Sequence, residues 1–428
     1  MTTRPQSDPP SPFADVPQEP RRALGRIFAA ALQAADGRAA VSRALGAAGA
    51  AGPWWLIAIG KAAAAMTLGA LDCLGSECLG GLVIEKTLPP DLRRFTAHGI
   101  ACLTGGHPLP TQSSLVAGEQ LLIALAHTPP GARLLVLMSG GASSLVEVPV
   151  AGLGLAELER LNRWLLASGL PIGPMNRVRT AVSRIKGGGL LAALPSGPPR
   201  VLAISDVPGD DPGVIGSGLL VPAVGLAVAL AGLQLPPWLR TWVDRGLTQR
   251  GAASRPGPPI ELVATLELAK SAAAAAARAA GLPVLVHPAF LDGEAAQRGR
   301  ELARQVRDGA PGVQVWGGET TVRLPPVPGR GGRNQHLALA AALELAGHRD
   351  CWLLAAGTDG SDGPGEDAGA LVDGWTLERA AIAGLTPEDC LARADSGRLL
   401  AASADLIYTG PTGTNVMDLV VGLKTPRS

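Results

Sequence analysis

Trp54-Trp55-Leu56-Ile57-Ala58-Ile59-Gly60-Lys61-Ala62 decides how this chain is read. Six consecutive apolar residues have the length of a strand buried on both faces. They stop at a Gly-Lys turn that opens an Ala-rich helical stretch. The pattern recurs: Gly81-Leu82-Val83-Ile84, Leu134-Leu135-Val136-Leu137-Met138 and Val201-Leu202-Ala203-Ile204 are short apolar runs that each break into a turn. Helical spacings occupy Ser113–Ala126 and Leu155–Ser168, and another, Arg21–Ala47, precedes the first strand. Buried strands alternating with helices predict a doubly wound, Rossmann-like α/β domain, whose ligands bind beyond the C-terminal strand ends.

Pro236–Pro259 is rich in Pro, Gly and Arg with little periodicity and reads as a connection between domains. Alternation resumes with a strand at Glu261–Thr265, a helix at Glu267–Ala280, the run Val284-Leu285-Val286 and a helix at Gly293–Arg307. Val313–Trp316, a helix over Leu337–Ala346, a strand over Cys351–Ala356 and a closing strand near Leu406–Tyr408 predict a second α/β unit. The expected division is a disordered Pro-rich lead over 1–20, an N-terminal α/β domain over 21–235, a connecting region with strand and helices over 236–311, and a C-terminal α/β domain over 312–423.

The chain has 428 residues, more than one typical core holds. Its 37 basic and 36 acidic residues nearly cancel, which argues against a nucleic-acid or anionic-membrane partner. Aromatics are 3%, too few for base-stacking platforms. Five cysteines without a CxxC pair suggest neither a disulfide frame nor a zinc site. No apolar signal core and no membrane-length apolar run occur, so a soluble cytoplasmic protein is expected.

The turns carry the chemistry. At Gly60-Lys61 backbone N–H groups and an ammonium can meet an anion, although Ala62 replaces the Ser/Thr of a Walker loop and a surface lysine is the alternative. Ser139-Gly140-Gly141-Ala142-Ser143-Ser144 reads as a phosphate cradle in preference to a nucleophilic serine, because the Gly-x-Ser-x-Gly elbow is absent. Ser205–Pro212 places Asp206, Asp210 and Asp211 at a strand end, suited to Mg²⁺ or general-base work, or simply to a turn.

Gly357–Gly363 repeats the theme with Asp359 and Asp362, without the Glu of an EF-hand. Thr412, Gly413, Thr414 and Asn415 offer donors to phosphate oxygens. Asn176–Lys186 supplies Arg179 and Lys186, as an anion site or a solvated basic face. Gly317–Val322, with Glu319, leads towards Gly329-Arg330-Gly331-Gly332-Arg333-Asn334-Gln335, where two guanidiniums sit among glycines. A solvated basic turn is the rival there. Jointly the loops fit Mg²⁺-assisted phosphoryl transfer in an inter-domain cleft.

These loops, with Thr104–Pro108 and Ile185–Gly188, run over residues 21–423 in an order that resembles the ATP-dependent glycerate 2-kinase family with a C-terminal MOFRL domain, once also called hydroxypyruvate reductase. The resemblance implies transfer of the ATP γ-phosphate to the 2-hydroxyl of D-glycerate, with ATP and Mg²⁺ as cofactors. Lys61 with the Arg330/Arg333 pair would be the key cations, and Asp206 would accept or orient the hydroxyl proton. Asp210, Asp359 or Asp362 would organise Mg²⁺. Ser139, Gly140 and Gly141 and the Thr412–Asn415 loop would hold nucleotide phosphates, and Arg179, Lys186, Glu319 and Asn334 would add binding contacts. The implied partners are glycerate and ATP, with a homodimer left open.

The chain also departs from the family pattern. Thr180-Ala181 replace Lys-His, His336 replaces Glu, Met417 replaces Asn, Ala142 replaces Gly and Leu219-Leu220 replace Pro-Thr. Rival readings are a kinase of a related hydroxy acid, a degenerate non-catalytic sugar-acid-binding protein, and an NAD(P)H-dependent hydroxypyruvate reductase. The last lacks Gly-x-Gly-x-x-Gly after an early strand.

Overall fold

The computed structural model describes residues 18–48, 52–250 and 256–426, so most of the expected lead lies outside the described residues. The chain divides into two units. The first comprises Gln33–Thr265 and Gly413–Val416, and the second comprises the described residues 18–32, 266–412 and 417–426. The stretch 236–311 is shared: Thr265 closes one segment of the first unit and Leu266 opens one of the second.

The first unit holds a sheet of β1 (Trp54–Ile59), β2 (Cys78–Glu85), β3 (Ile100–Thr104), β4 (Arg133–Met138), β5 (Arg200–Ile204) and β6 (Ile260–Ala264). All neighbours are parallel, in the order β3-β2-β1-β4-β5-β6. The connections reverse direction between β1 and β4, the switch point at which such sheets bind ligands. Ile59 pairs with both Ile84 and Met138, so three strands end at one level. The turns after them are therefore neighbours. Ile57, Ile59, Val136 and Met138 pack with Ala117, Leu121 and Leu125 of the helix Gln112–Ala126 in one buried core.

A second apolar cluster joins Leu158, Leu161, Leu165 and Val178 to Leu239 and Val243. The last two belong to a helix over Pro237–Arg250, where the sequence predicted an aperiodic connection. Proline is compatible with the first turn of a helix, and Leu239 and Val243 are spaced to share a face. The helix expected over Arg21–Ala47 is two helices, Gln18–Ala35 and Gly37–Ala48. Asp36 lies at the break, and its Oδ1 accepts from the Ala39 N–H at 2.8 Å.

The second unit holds β7 (Val284–Leu291), β8 (Gly312–Gly318), β9 (Cys351–Gly357), β10 (Gly369–Asp373), β11 (Leu406–Ile407) and β12 (Asp418–Lys424). Their order is β11-β10-β9-β12-β8-β7, and only β7 and β8 run parallel. The strand expected near Leu406–Tyr408 is a two-residue edge, whereas β12, which the sequence reading passed over, sits centrally between β8 and β9. Leu419, Val420, Val421 and Leu423 are buried, as a strand covered on both faces requires. The helix after the Arg loop spans Arg333–Leu345 and begins four residues before the expected Leu337. Arg333, Asn334 and Gln335 are therefore its first turn. Among the described residues, no helix is long and apolar enough to cross a membrane.

Candidate functional site

The turn after β1 is already filled by the protein. Lys61 N–H donates to the Gly140 carbonyl at 2.9 Å, and Ala63 N–H donates to that of Gly60 at 3.1 Å. Ala62 N–H donates to Ser139 Oγ at 3.0 Å and Ala64 N–H to Glu85 Oε2 at 3.2 Å. These amides are not open to an anion, which corrects the expectation of a backbone nest at Gly60-Lys61. Its side chain is what Lys61 can offer. A Cβ built on Gly141 would lie 3.2 Å from Lys61 Cγ and 3.2 Å from His107 Cδ2, so both side chains flank that glycine.

The loop after β4 has the complementary property. Ser139 is fully buried and its Oγ fastens the neighbouring turn, a holding role and not a nucleophile's. Among the described residues, the N–H groups of Gly140 and Gly141 have no acceptor. Gly140 must lack a side chain, because a Cβ would run into Asp206 and Asn415. Asn415 Nδ2 donates to Asp206 Oδ2 at 3.3 Å. Thr414 and Asn415 are buried, and the Gly413 carbonyl accepts from Gly37 N–H at 3.1 Å. The first unit thus gathers Lys61, Gly140, Gly141, Asp206 and Asn415 around the strand ends. Asp210 stands nearby in the chain at φ 57° and Ser217 at φ 59°, a conformation that costs non-glycine residues energy and clusters at functional sites.

Two residues here escaped the sequence reading. His107 belonged to a quoted motif without being singled out, and Glu85 is the polar end of an apolar strand. Burial pushes the Glu85 carboxyl from 4.5 up to about 7, partly offset by the Ala64 N–H. Between those values the folded chain keeps a proton that the unfolded chain releases. Its contribution to stability is therefore full below pH 4.5, falls as pH rises to 7 and is flat above. Urea titrations at pH 5 and pH 8 should differ less in Glu85→Gln than in the parent, by on the order of 2 kcal/mol.

Arg179 and Lys186 do not share a helical face, because the helix Ile172–Ala181 ends between them. Arg179 donates from Nε to Asn162 Oδ1 at 2.9 Å and from Nη1 to Asn176 Oδ1 at 3.2 Å. Lys186 Nζ meets Glu147 Oε2 at 2.5 Å with both side chains buried. Lys186→Met leaves that buried carboxylate without its ammonium partner and should cost about 3–5 kcal/mol in urea unfolding, with Glu147→Gln/Lys186→Met recovering part of the loss.

In the second unit the Arg-loop helix is capped from a distance. The Asp362 carboxylate accepts from Asn334 N–H at 3.0 Å and Gln335 N–H at 2.8 Å, and from Asn334 Nδ2 at 3.3 Å and Gln335 Nε2 at 3.1 Å. A Cβ on Gly332 would collide with Asp362, so glycine is needed beside the cap. Burial pushes the Asp362 carboxyl up to about 7, against the pull of the Gln335 and Asn334 N–H groups. Asp362 and the buried Asn334 are thereby committed to the helix start.

Arg333 donates from Nε to Asp418 Oδ2 at 2.5 Å and from Nη2 to Oδ1 at 3.1 Å, while Nη1 pairs with Glu319 Oε1 at 2.6 Å. Burial opposes its charge, but Asp418 and then Glu319 outweigh burial and hold it protonated. Arg330 is half-exposed and pairs with Asp367 at 3.2 Å. Asp359 Oδ1 accepts from the N–H and the hydroxyl of Ser361, each at 3.0 Å. Thr412 Oγ1 donates to the Thr358 carbonyl at 2.6 Å. His336 is buried against Ser396, and desolvation lowers its pKa, so it stays neutral near pH 7. Among the described residues no three His, Cys, Asp or Glu side chains form a metal cage.

Glycine amides, a lysine and an aspartate at parallel-strand ends are the equipment of a phosphotransferase. Residues 23–233 match a family described as a domain of unknown function (DUF4147), and residues 312–418 match the MOFRL family. The chain is 33% identical to the D-glycerate 2-kinase of Thermotoga maritima, over 86% of this chain and 90% of that one. It is 38% identical to a putative hydroxypyruvate reductase of Agrobacterium vitis, over 93% of each chain. The crystal structure of a glycerate kinase from Thermotoga maritima superposes with a TM-score of 0.82 at 32% identity, covering 96% of this chain and 100% of that one. The chain belongs to the MOFRL-domain glycerate 2-kinase family.

Proposed function

We propose that this protein transfers the γ-phosphate of Mg²⁺-ATP to the 2-hydroxyl of D-glycerate, giving 2-phosphoglycerate. The observation that carries the reading is Asp206 seated on Gly140, next to a glycine whose other neighbours are Lys61 and His107. Asp206 receives the hydroxyl proton as the oxygen attacks phosphorus. The Lys61 ammonium and the N–H groups of Gly140 and Gly141 stabilise charge on the transferring group's oxygens, which is most of what such a transition state needs. Arg333, Arg330 and Thr412 of the second unit supply fixed positive charge and a hydroxyl, and the Gly413–Asn415 segment of the first unit supplies phosphate contacts.

A Mg²⁺ ion arriving on nucleotide phosphates needs only one or two protein carboxylates plus water. Asp210 of the first unit or Asp359 of the second, each partly exposed, would fit that donor set, whereas the Asp362 oxygens already accept from a helix start. When bound, the ion neutralises phosphate charge. The proposed compartment is the cytoplasm, and light scattering would establish whether the protein is a homodimer.

The test is a pair of assays on purified protein. Glycerate-dependent ADP release with ³¹P identification of 2-phosphoglycerate is expected. NADH consumption with hydroxypyruvate and no ADP release would overturn the reading. Turnover of another 2-hydroxy acid in preference to glycerate would reassign the substrate within the same chemistry.

A further inference from the structure

A cavity of about 50 Å³ lies within the first unit, lined by Pro108, Ser143, Glu147, Asn162, Arg179 and Lys186 among others. Two of its charges cancel, since Lys186 and Glu147 pair at 2.5 Å. The third does not. Arg179 donates only to the neutral amide oxygens of Asn162 and Asn176, and among the described residues its Nη2 has no acceptor and no carboxylate pairs with it. Asn162 is itself fixed, being buried with Nδ2 donating to the Leu158 carbonyl at 3.0 Å. Desolvation lowers the pKa of Arg179, with no opposing carboxylate.

A cation partly removed from water, oriented by two amides and given no counter-ion is arranged for an anion from outside. The volume sets its size. A space of this size takes a few waters, which suits a carboxylate group. Ser143 lines the cavity two residues beyond Gly141, and Pro108 follows His107, so its walls belong to the loops that flank Lys61.

Resting on the kinase reading, we infer that this cavity binds the carboxylate of the hydroxy-acid acceptor, with Arg179 as the residue that selects an acid over a neutral alcohol. Lys61 is thereby left to the transferring phosphoryl group alone.

The test combines kinetics with calorimetry. Arg179→Gln should raise KM for glycerate about 10- to 100-fold, the loss of one charge-assisted contact, with KM for ATP unchanged and kcat little altered. Arg179→Lys should recover only part, because it lacks the fork. Asn162→Asp is isosteric and gives Arg179 an internal carboxylate. It also replaces the Nδ2 donor to the Leu158 carbonyl by an acceptor, so Tm should fall somewhat, while KM for glycerate should rise at least 10-fold. A purely structural arginine would leave KM alone in Asn162→Asp. In calorimetry the parent should bind glycerate and not its neutral amide, glyceramide.

A parent that phosphorylates glycerate, with KM unmoved in Arg179→Gln and Asn162→Asp, overturns this inference and leaves the kinase reading standing. Arg179-dependent binding of 2-hydroxy acids without ADP release does the reverse. A parent that binds no small hydroxy acid overturns both.

Discussion

Lys61→Ala should lower kcat/KM for glycerate about 10³-fold while the protein stays folded, because the lysine contributes charge to a transition state. The turn that carries it is held by main-chain N–H groups of residues 61–64, and none of those bonds uses the lysine side chain. Lys61→Arg should not restore the rate, since the stem lies against the Gly141 backbone and a wider head would displace the phosphate contacts. A coupled ADP-release assay at saturating ATP reads the outcome. An alanine variant with the parent's kcat/KM would remove Lys61 from the chemistry.

Arg333→Ala should damage both rate and stability, and the two effects can be separated. The guanidinium is the bidentate partner of the Asp418 carboxylate, which is 5% exposed on its side chain. Deleting it leaves a buried unpaired charge and should cost about 3 kcal/mol in urea unfolding, with kcat/KM down at least about 10²-fold. Adding Asp418→Asn removes the stranded charge and should return most of the stability. It should not return the rate. If the double variant regains activity as well, Arg333 serves the fold of the second unit and not the reaction.

Much of the first sheet was legible in the sequence because parallel strands covered on both faces are written as unbroken apolar runs. Trp54–Ile59 and Leu134–Met138 could hardly be anything else. The helix Pro237–Arg250 was obscured by its own composition: prolines and arginines outweighed the spacing of Leu239 and Val243. Strand β12 was masked by the Gly/Thr turn before it.

The same limits apply to the site. Glycine loops at strand ends announce an anion, so Lys61, Gly140, Gly141 and Asp206 could be picked out singly. Glu85 acquires meaning only through its bond to the Ala64 N–H, and His107 only through its approach to Gly141, which one chain position at a time does not reveal. Asp362 looked like a metal ligand because a carboxylate among glycines does. Only the structure supplies the four N–H groups that claim it.

Strand β12, the last in the chain, has a consequence for the order of events during synthesis. It pairs with β8 on one side and β9 on the other, so the second sheet lacks its centre until residue 424 has left the ribosome. Until then β7–β8 and β9–β10–β11 are two fragments, each presenting an unpaired edge. Asp418, the residue that grips Arg333, opens this same strand. Arg333 therefore acquires its bidentate partner in the step that joins the two fragments into one sheet, and a chain cut short of β12 lacks both.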